Sequence, residues 1–132
     1  DYEIGEVSYG FKSFHGLEGN SQDYLRWSSG DSTLVIENST DKSLKKTLSL
    51  TLIRPNSKFQ HASVSITHTT ADSKGFLEMS RYFVLGQKEI EIVLNLRPGV
   101  NYLNFKSDSP AIDNGDPRNI VFGIGNYRFD NF

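Results

Sequence analysis

Polar and apolar residues alternate with a period of two through most of this chain, and most cleanly from Lys88 to Leu96. There Ile90, Ile92, Leu94 and Leu96 fall on one side, while Glu89, Glu91, Val93 and Asn95 fall on the other. That is the pattern of a strand with one buried and one solvated face. Leu48, Leu50 and Leu52 repeat it against Thr47, Ser49 and Thr51, as do Ala62, Val64 and Ile66 against Ser63, Ser65 and Thr67. Leu34 and Ile36 form a shorter version after a turn signal at Ser28-Ser29-Gly30-Asp31-Ser32. Further strands are predicted at Gly5–Phe14, Asp23–Ser28, Gly75–Val84, Val100–Lys106 and Asn119–Phe129.

Clusters of Gly, Ser, Asn and Asp separate these runs, which is turn chemistry between strands. No segment sustains a helical period beyond two turns; a single helical turn inside Ser107–Gly115 is the most helix expected. The pattern predicts an all-β, two-sheet antiparallel β-sandwich, jelly-roll-like, with eight or nine strands. Its core should hold Ile90, Ile92, Leu94, Leu48, Leu50, Leu52, Val64, Ile66, Leu103, Phe105, Phe122 and Trp27. Pro98-Gly99 reads as a tight turn, and Pro55, Pro98 and Pro117 sit at strand ends, where a missing N–H does least harm. Gly123 and Gly125 share one face of the last strand, which leaves room for a bulky neighbour or for a ligand. The bulky neighbour is the favoured reading.

Composition narrows the partners. The chain has 132 residues, enough for a single domain over 1–132 with one hydrophobic core. Its net charge is −2 and its basic residues are scattered, so it lacks the basic stripe of a nucleic-acid binder. There is no cysteine, which removes disulfides and thiolate metal sites. No apolar run reaches membrane-spanning length, so direct insertion by this domain is not expected. The opening Asp1-Tyr2-Glu3-Ile4 is neither an initiator Met nor a signal peptide, and the chain reads as a domain excised from a larger protein.

Catalytic signatures are absent. His15, His61 and His68 are scattered, and no Gly-x-Ser-x-Gly elbow accompanies them. Alternation puts His61 and His68 on opposite faces, and solvated strand-end positions are expected for them. Glu18 and Asp116 have the residue types of a glycosidase acid/base couple. The stronger reading pairs them with Arg26 or Arg118, a structural polar cluster of Glu18, Arg26, Asp116 and Arg118 at the sandwich rim. Asp108, Asp113, Asn114 and Asp116 gather oxygen donors of the kind calcium prefers. Flanking helices and a bidentate Glu are missing, so an EF-hand is rejected. Asx turns are favoured over a structural calcium ion, and no cofactor is expected.

Sugar recognition needs flat apolar faces beside donors and acceptors. Tyr24, Arg26, Tyr102 and Tyr127, with Asp113 and Asp116 from the polar loop, are the candidate ligand-binding residues. Trp27 shares a face with Leu25 and is expected as a core anchor whose indole N–H finds one partner. Asn38-Ser39-Thr40 is a sequon, which marks a surface glycosylation site in a suitably secreted protein.

The order of short motifs carries a resemblance. Gly16-Leu17-Glu18-Gly19, Arg26-Trp27-Ser28 and Ser32-Thr33-Leu34-Val35-Ile36 come first. Arg54-Pro55, Arg97-Pro98-Gly99-Val100-Asn101, Asp116-Pro117-Arg118 and Phe122-Gly123-Ile124 follow. This order resembles the accessory β-sandwich domain of multi-pass membrane glycosyltransferases and related cell-envelope glycan enzymes of bacteria and archaea. The resemblance implies an extracytoplasmic, carbohydrate-binding-module-like domain without catalytic residues of its own. Its partners would be a glycan or glycan intermediate and the membrane-embedded remainder of the parent chain. Glu18, Arg26, Trp27, Asp116 and Arg118 are the marked positions it carries over. A structural or interaction domain with no sugar site is the alternative.

Overall fold

One strand, Tyr24–Asn38, belongs to both layers of the sandwich at once, and the architecture follows from that. The structure, a computed structural model, describes residues 2–4, 6–19, 24–55, 61–71, 78–112 and 119–130. Its strands in order are β1 (Tyr2–Ile4), β2 (Val7–Phe14), β3 (Glu18–Gly19), β4 (Tyr24–Asn38) and β5 (Leu44–Arg54). Then come β6 (Ala62–Thr70), β7 (Glu78–Val84), β8 (Gly86–Leu96), β9 (Gly99–Lys106) and β10 (Phe122–Asp130). Every pairing among them is antiparallel.

The strands form one hydrogen-bonded sheet of ten, in the order β7-β6-β9-β4-β10-β5-β8 with β1, β2 and β3 beside β4; it folds at β4 into two layers, β7-β6-β9-β4-β2-β1 and β8-β5-β10-β4-β3. Asp31–Asn38 of β4 pairs with β9, and Tyr24 to Ser28 pairs with β3 and β10. From β4 onward the chain crosses repeatedly between the sheets, as in a jelly roll. The fold is therefore the all-β antiparallel sandwich that the alternation predicts. Eight strands have seven residues or more, and β1 and β3 are short additions at the rim. No helix occurs in the described part of the Ser107–Gly115 segment.

The turn expected at Ser28–Ser32 is instead the middle of β4, a continuous strand of 15 residues. Its small polar residues serve an internal bend. Gly30 takes φ +116°, and buried Ser28 and Ser32 share a hydroxyl–hydroxyl hydrogen bond of 2.6 Å. The Gly30 N–H donates to Ser28 Oγ, and the Ser32 hydroxyl donates to the Ser13 carbonyl. With each of these polar groups bonded, the chain bends inside the core without leaving a donor stranded.

Ile90, Ile92 and Leu94 meet Leu48, Leu50, Leu52, Val64, Ile66, Leu103, Phe105 and Phe122 in the core, all buried. Two bulges adjust the alternation. One lies between Lys12 and Phe14 and the other between Gly125 and Arg128, each spending one residue at positive φ (Ser13, Asn126). The extra residue returns Phe14 and Tyr127 to the inner face. There Phe14 meets Phe105 edge-on, and Tyr127 packs on Phe11 at 4.9 Å.

Several buried polar residues were not anticipated. His68 lies inside β6, 2% exposed, and is not a solvated strand-end histidine. Its Nε2 is 2.9 Å from Asn101 Oδ1. The Asn101 amide nitrogen donates to the Arg97 and Gly99 carbonyls, which fixes its oxygen as the acceptor and Nε2–H as the donor. Arg54 is 1% exposed and donates through one terminal nitrogen to the carbonyls of Pro110 and Val121, at 2.7 and 2.8 Å. Burial lowers its pKa below the ordinary guanidinium value, yet a guanidinium stays charged near neutrality.

The sequon also reads differently. Asn38 is 1% exposed, and its amide nitrogen donates to the Lys42 and Leu96 carbonyls. The atom a glycan would modify is thus held inside the turn that joins β4 to β5. Asn38-Ser39-Thr40 builds that turn and is not a surface glycosylation site in the folded domain.

Candidate functional site

The outer face of the β7-β6-β9-β4 layer is polar along β6 and β9 and more apolar towards the edge strand β7, and register explains its layout. Arg81 pairs with Ser65, Ser65 with Lys106, and Lys106 with Asp31, so one row crosses four strands. The next row is Met79, Thr67, Asn104 and Thr33, and beyond it Thr69, Tyr102 and Val35. Outward positions on these strands carry Ser, Thr, Asn and charge because their neighbours in sequence fill the core.

The rows line a trough with two lobes. The first, about 410 Å³, is lined by Gly30, Asp31, Ser63, Ser65, Arg81, Lys106, Ser107 and Asp108. The second, about 380 Å³, adds Thr67, Thr69 and Asn104 and shares Asp31 and Lys106 with the first. Asn104 is held at its centre: the Thr33 hydroxyl donates to its oxygen at 3.1 Å, and its nitrogen donates to Thr69 Oγ1 at 3.1 Å. Arg81 Nε donates to Ser65 Oγ at 3.3 Å, which lays the guanidinium over the trough. Such a surface offers fixed donors and acceptors of both signs, with the half-buried Tyr102 ring at one end.

A second feature lies on the opposite face of the sandwich. Trp27 is half-buried and is not a core anchor. The expectation that it shares a face with Leu25 is right, but that face points outward. Arg26 is opposite Ile124, which is opposite Leu52, and both apolar partners are fully buried. Trp27 is opposite Gly123, which is opposite Ile53 on the outer side. A β-carbon on Gly123 would lie 2.8 Å from Trp27 Cε3, so the missing side chain is the space the indole fills. Gly125 gives the same room to Ile53 and to the Tyr24 carbonyl. Bulky neighbours therefore explain both glycines.

The sequence-predicted ligand residues divide between places. Tyr102 flanks the trough, and Asp108 lines it. Tyr24, Arg26 and Tyr127 form a separate packed cluster at the inner rim. The Tyr24 hydroxyl donates to the Tyr127 carbonyl at 2.9 Å, Arg26 Nε donates to the Tyr127 hydroxyl, and the guanidinium lies 4.2 Å from the Phe11 ring centre. Tyr127 is 5% exposed, so it holds no surface position; the Asn126 bulge turned it inward. Glu18 pairs with Leu25, on the face of β4 away from Arg26. Asp113, Asn114, Asp116 and Arg118 lie outside the described residues. Among the described residues no group of three or more His, Cys, Asp or Glu is placed to hold a metal ion.

His15 Nε2 and Ser29 Oγ approach to 3.0 Å at the surface. A nucleophilic triad needs a third group to orient the imidazole, and no carboxylate among the described residues does so. The trough was missed in the sequence because its residues come from four strands between Asp31 and Lys106 and meet only through register.

No family model matches this chain, and no curated protein matches it. Among solved structures it is similar to an isomalto-dextranase of Arthrobacter globiformis T6 complexed with panose. That match has 8% identity and a TM-score of 0.48, covering 97% of this chain and 24% of that one. It is similar to the enzymatically active domain of tailspike protein 4 of bacteriophage CBA120, with 10% identity, TM-score 0.45, and coverage of 96% and 19%. It is also similar to carbohydrate-binding modules from the β-sandwich superfamily, with 12% identity, TM-score 0.42, and coverage of 98% and 58%. The chain thus spans less than two thirds of the length of each of these structures.

Proposed function

We propose that this domain is a non-catalytic carbohydrate-binding or substrate-positioning module that holds a glycan in the trough across β7-β6-β9-β4. One observation carries the reading: hydroxyl, amide and charged groups stand in rows across four strands, with Asn104 fixed at the centre by its own hydrogen bonds. Preset donors and acceptors lose little freedom on meeting sugar hydroxyls. Binding is expected to be weak, because those hydroxyls are already satisfied by water. The motif order supports a finer reading, an extracytoplasmic accessory domain of a membrane-embedded cell-envelope glycosyltransferase.

A second reading, an interaction domain without a sugar site, is favoured by Met79 and Phe83. They are 53% and 64% exposed on the edge strand β7 and would suit an apolar protein partner. A glycan array followed by calorimetric titration separates the two. Binding that is lost in Lys106→Ala and Asn104→Ala supports the trough. Silence across envelope polysaccharides at millimolar ligand, with the domain folded, leaves the interaction reading.

A further inference from the structure

We infer that Trp27 forms a second saccharide platform, on the sheet face opposite the trough. The ligand class is a neutral hexopyranose, stacked through its apolar face on the indole. This inference rests on the reading of the domain as a glycan binder, but not on the trough being its site.

Three observations point to it. First, the indole is on the outer face and is supported from beneath by backbone: its benzenoid edge rests on Gly123, where any β-carbon would displace it. A ring seated on a glycine lies close against the sheet and keeps part of its surface in solvent. Second, no hydrogen-bond partner for the indole N–H occurs among the described residues, although an enclosed indole normally finds one. An indole donor at the rim of an apolar ring is the combination that meets a sugar face and its edge hydroxyl together. Third, the rows that run across the sheet from Trp27 and Leu25 end in hydrogen-bonding side chains on the same face, three strands away. Gln87 pairs with Ile53 in the row of Trp27, and Glu89 pairs with Thr51 in the next. Both side chains are exposed.

The same face also carries a groove, one row along from Trp27, which Trp27 itself does not line. Thr51 and Glu89, with Ser49, Glu91, Asn126 and Arg128, line a depression of about 620 Å³ on the same face. A sugar stacked on Trp27 has room for its neighbours along the rows Gln87–Ile53 and Glu89–Thr51. Leu25 and Ile53 complete an apolar floor of the kind that accepts a pyranose ring but offers nothing to an isolated ion.

Trp27 is the only tryptophan in the chain, so its emission reports this face alone. The wild-type domain is titrated with cello- and malto-oligosaccharides while emission, acrylamide quenching and heat are followed. The expected result is a saturable change in emission and protection from acrylamide, both retained in Lys106→Ala. Affinity should fall at least about tenfold in Trp27→Ala, and by less in Gln87→Ala, which leaves the ring in place. Circular dichroism checks that both variants fold. Heat of binding without any emission change, unaltered in Trp27→Ala, would overturn the platform and leave the trough standing. Emission changes that survive Lys106→Ala and Asn104→Ala while those variants lose no heat would do the reverse. Absence of binding to every oligosaccharide overturns both.

Discussion

A β-carbon on Gly30 would lie 2.6 Å from the carbonyl oxygen of Ser107. The same two residues are joined by a 2.7 Å hydrogen bond from the Ser107 N–H to the Gly30 carbonyl. This is where β4 leaves one sheet for the other, so the bend and the exit of β9 are locked to a single point. Gly30→Ala must take φ +116° and push backbone aside at once. The expected cost is about 2–3 kcal/mol or more, read as a fall of roughly 5–10 °C in Tm. A melting curve unchanged from wild type would contradict the close approach.

The two glycines of β10 should respond differently to the same substitution. At Gly123 an added methyl meets a side chain, the Trp27 ring, which can swing outward. At Gly125 it meets the Tyr24 carbonyl at 2.9 Å, which cannot. Gly123→Ala is therefore expected to shift tryptophan emission with a modest loss of stability, about 1 kcal/mol. Gly125→Ala should cost more and leave the emission wavelength nearly unchanged. Fluorescence and chemical denaturation on the pair give both readings.

Arg54 ties the stretch before β10 to the end of β5. Truncation to Ala removes the donors to the Pro110 and Val121 carbonyls and strands two acceptors in the interior. Charged hydrogen bonds of this kind contribute about 1.5–3 kcal/mol, so a loss of about 3 kcal/mol is expected in urea unfolding. Hydrogen exchange should localise the damage, because the Ile112 N–H bonds to the Ile120 carbonyl across that stretch and should lose protection first.

Asn38 makes a prediction about processing. Treated after folding with an oligosaccharyltransferase and its donor, the domain should keep an unmodified Asn38, visible as an unshifted intact mass. Asn38→Ala is expected to lower stability by about 2 kcal/mol, since the Lys42 and Leu96 carbonyls lose their donor. A folded, glycosylated Asn38 would show that the β4–β5 turn can open without harm.

Alternation along β5, β6 and β8 was legible because their inner faces carry uninterrupted Leu, Ile and Val. It supplied the sandwich and the Leu, Ile and Val residues that these strands give to the core. It gave Trp27 the correct companions but could not say which face was inside, since that depends on Ile124 and Leu52, residues distant in sequence. The small polar residues at 28–32 have the composition of a turn, and only the three-dimensional neighbours Ser13 and Ser107 reveal a buried bend. Arg54 and His68 carried no local sign of burial. The trough and the Trp27 platform are products of cross-strand register, which one sequence does not display.

The sharing of β4 has a consequence for the order of synthesis. One half of this strand is flanked by β9 and the other by β10, both from the last third of the chain. A nascent chain that has reached Arg97 therefore holds β4 with an unpaired edge in each sheet. Neither sheet can close as an early unit. Folding must wait for contacts of long sequence separation, which is slow and leaves apolar edges open to neighbouring chains. The strand that unites the finished domain is the one that keeps its emerging form incomplete longest.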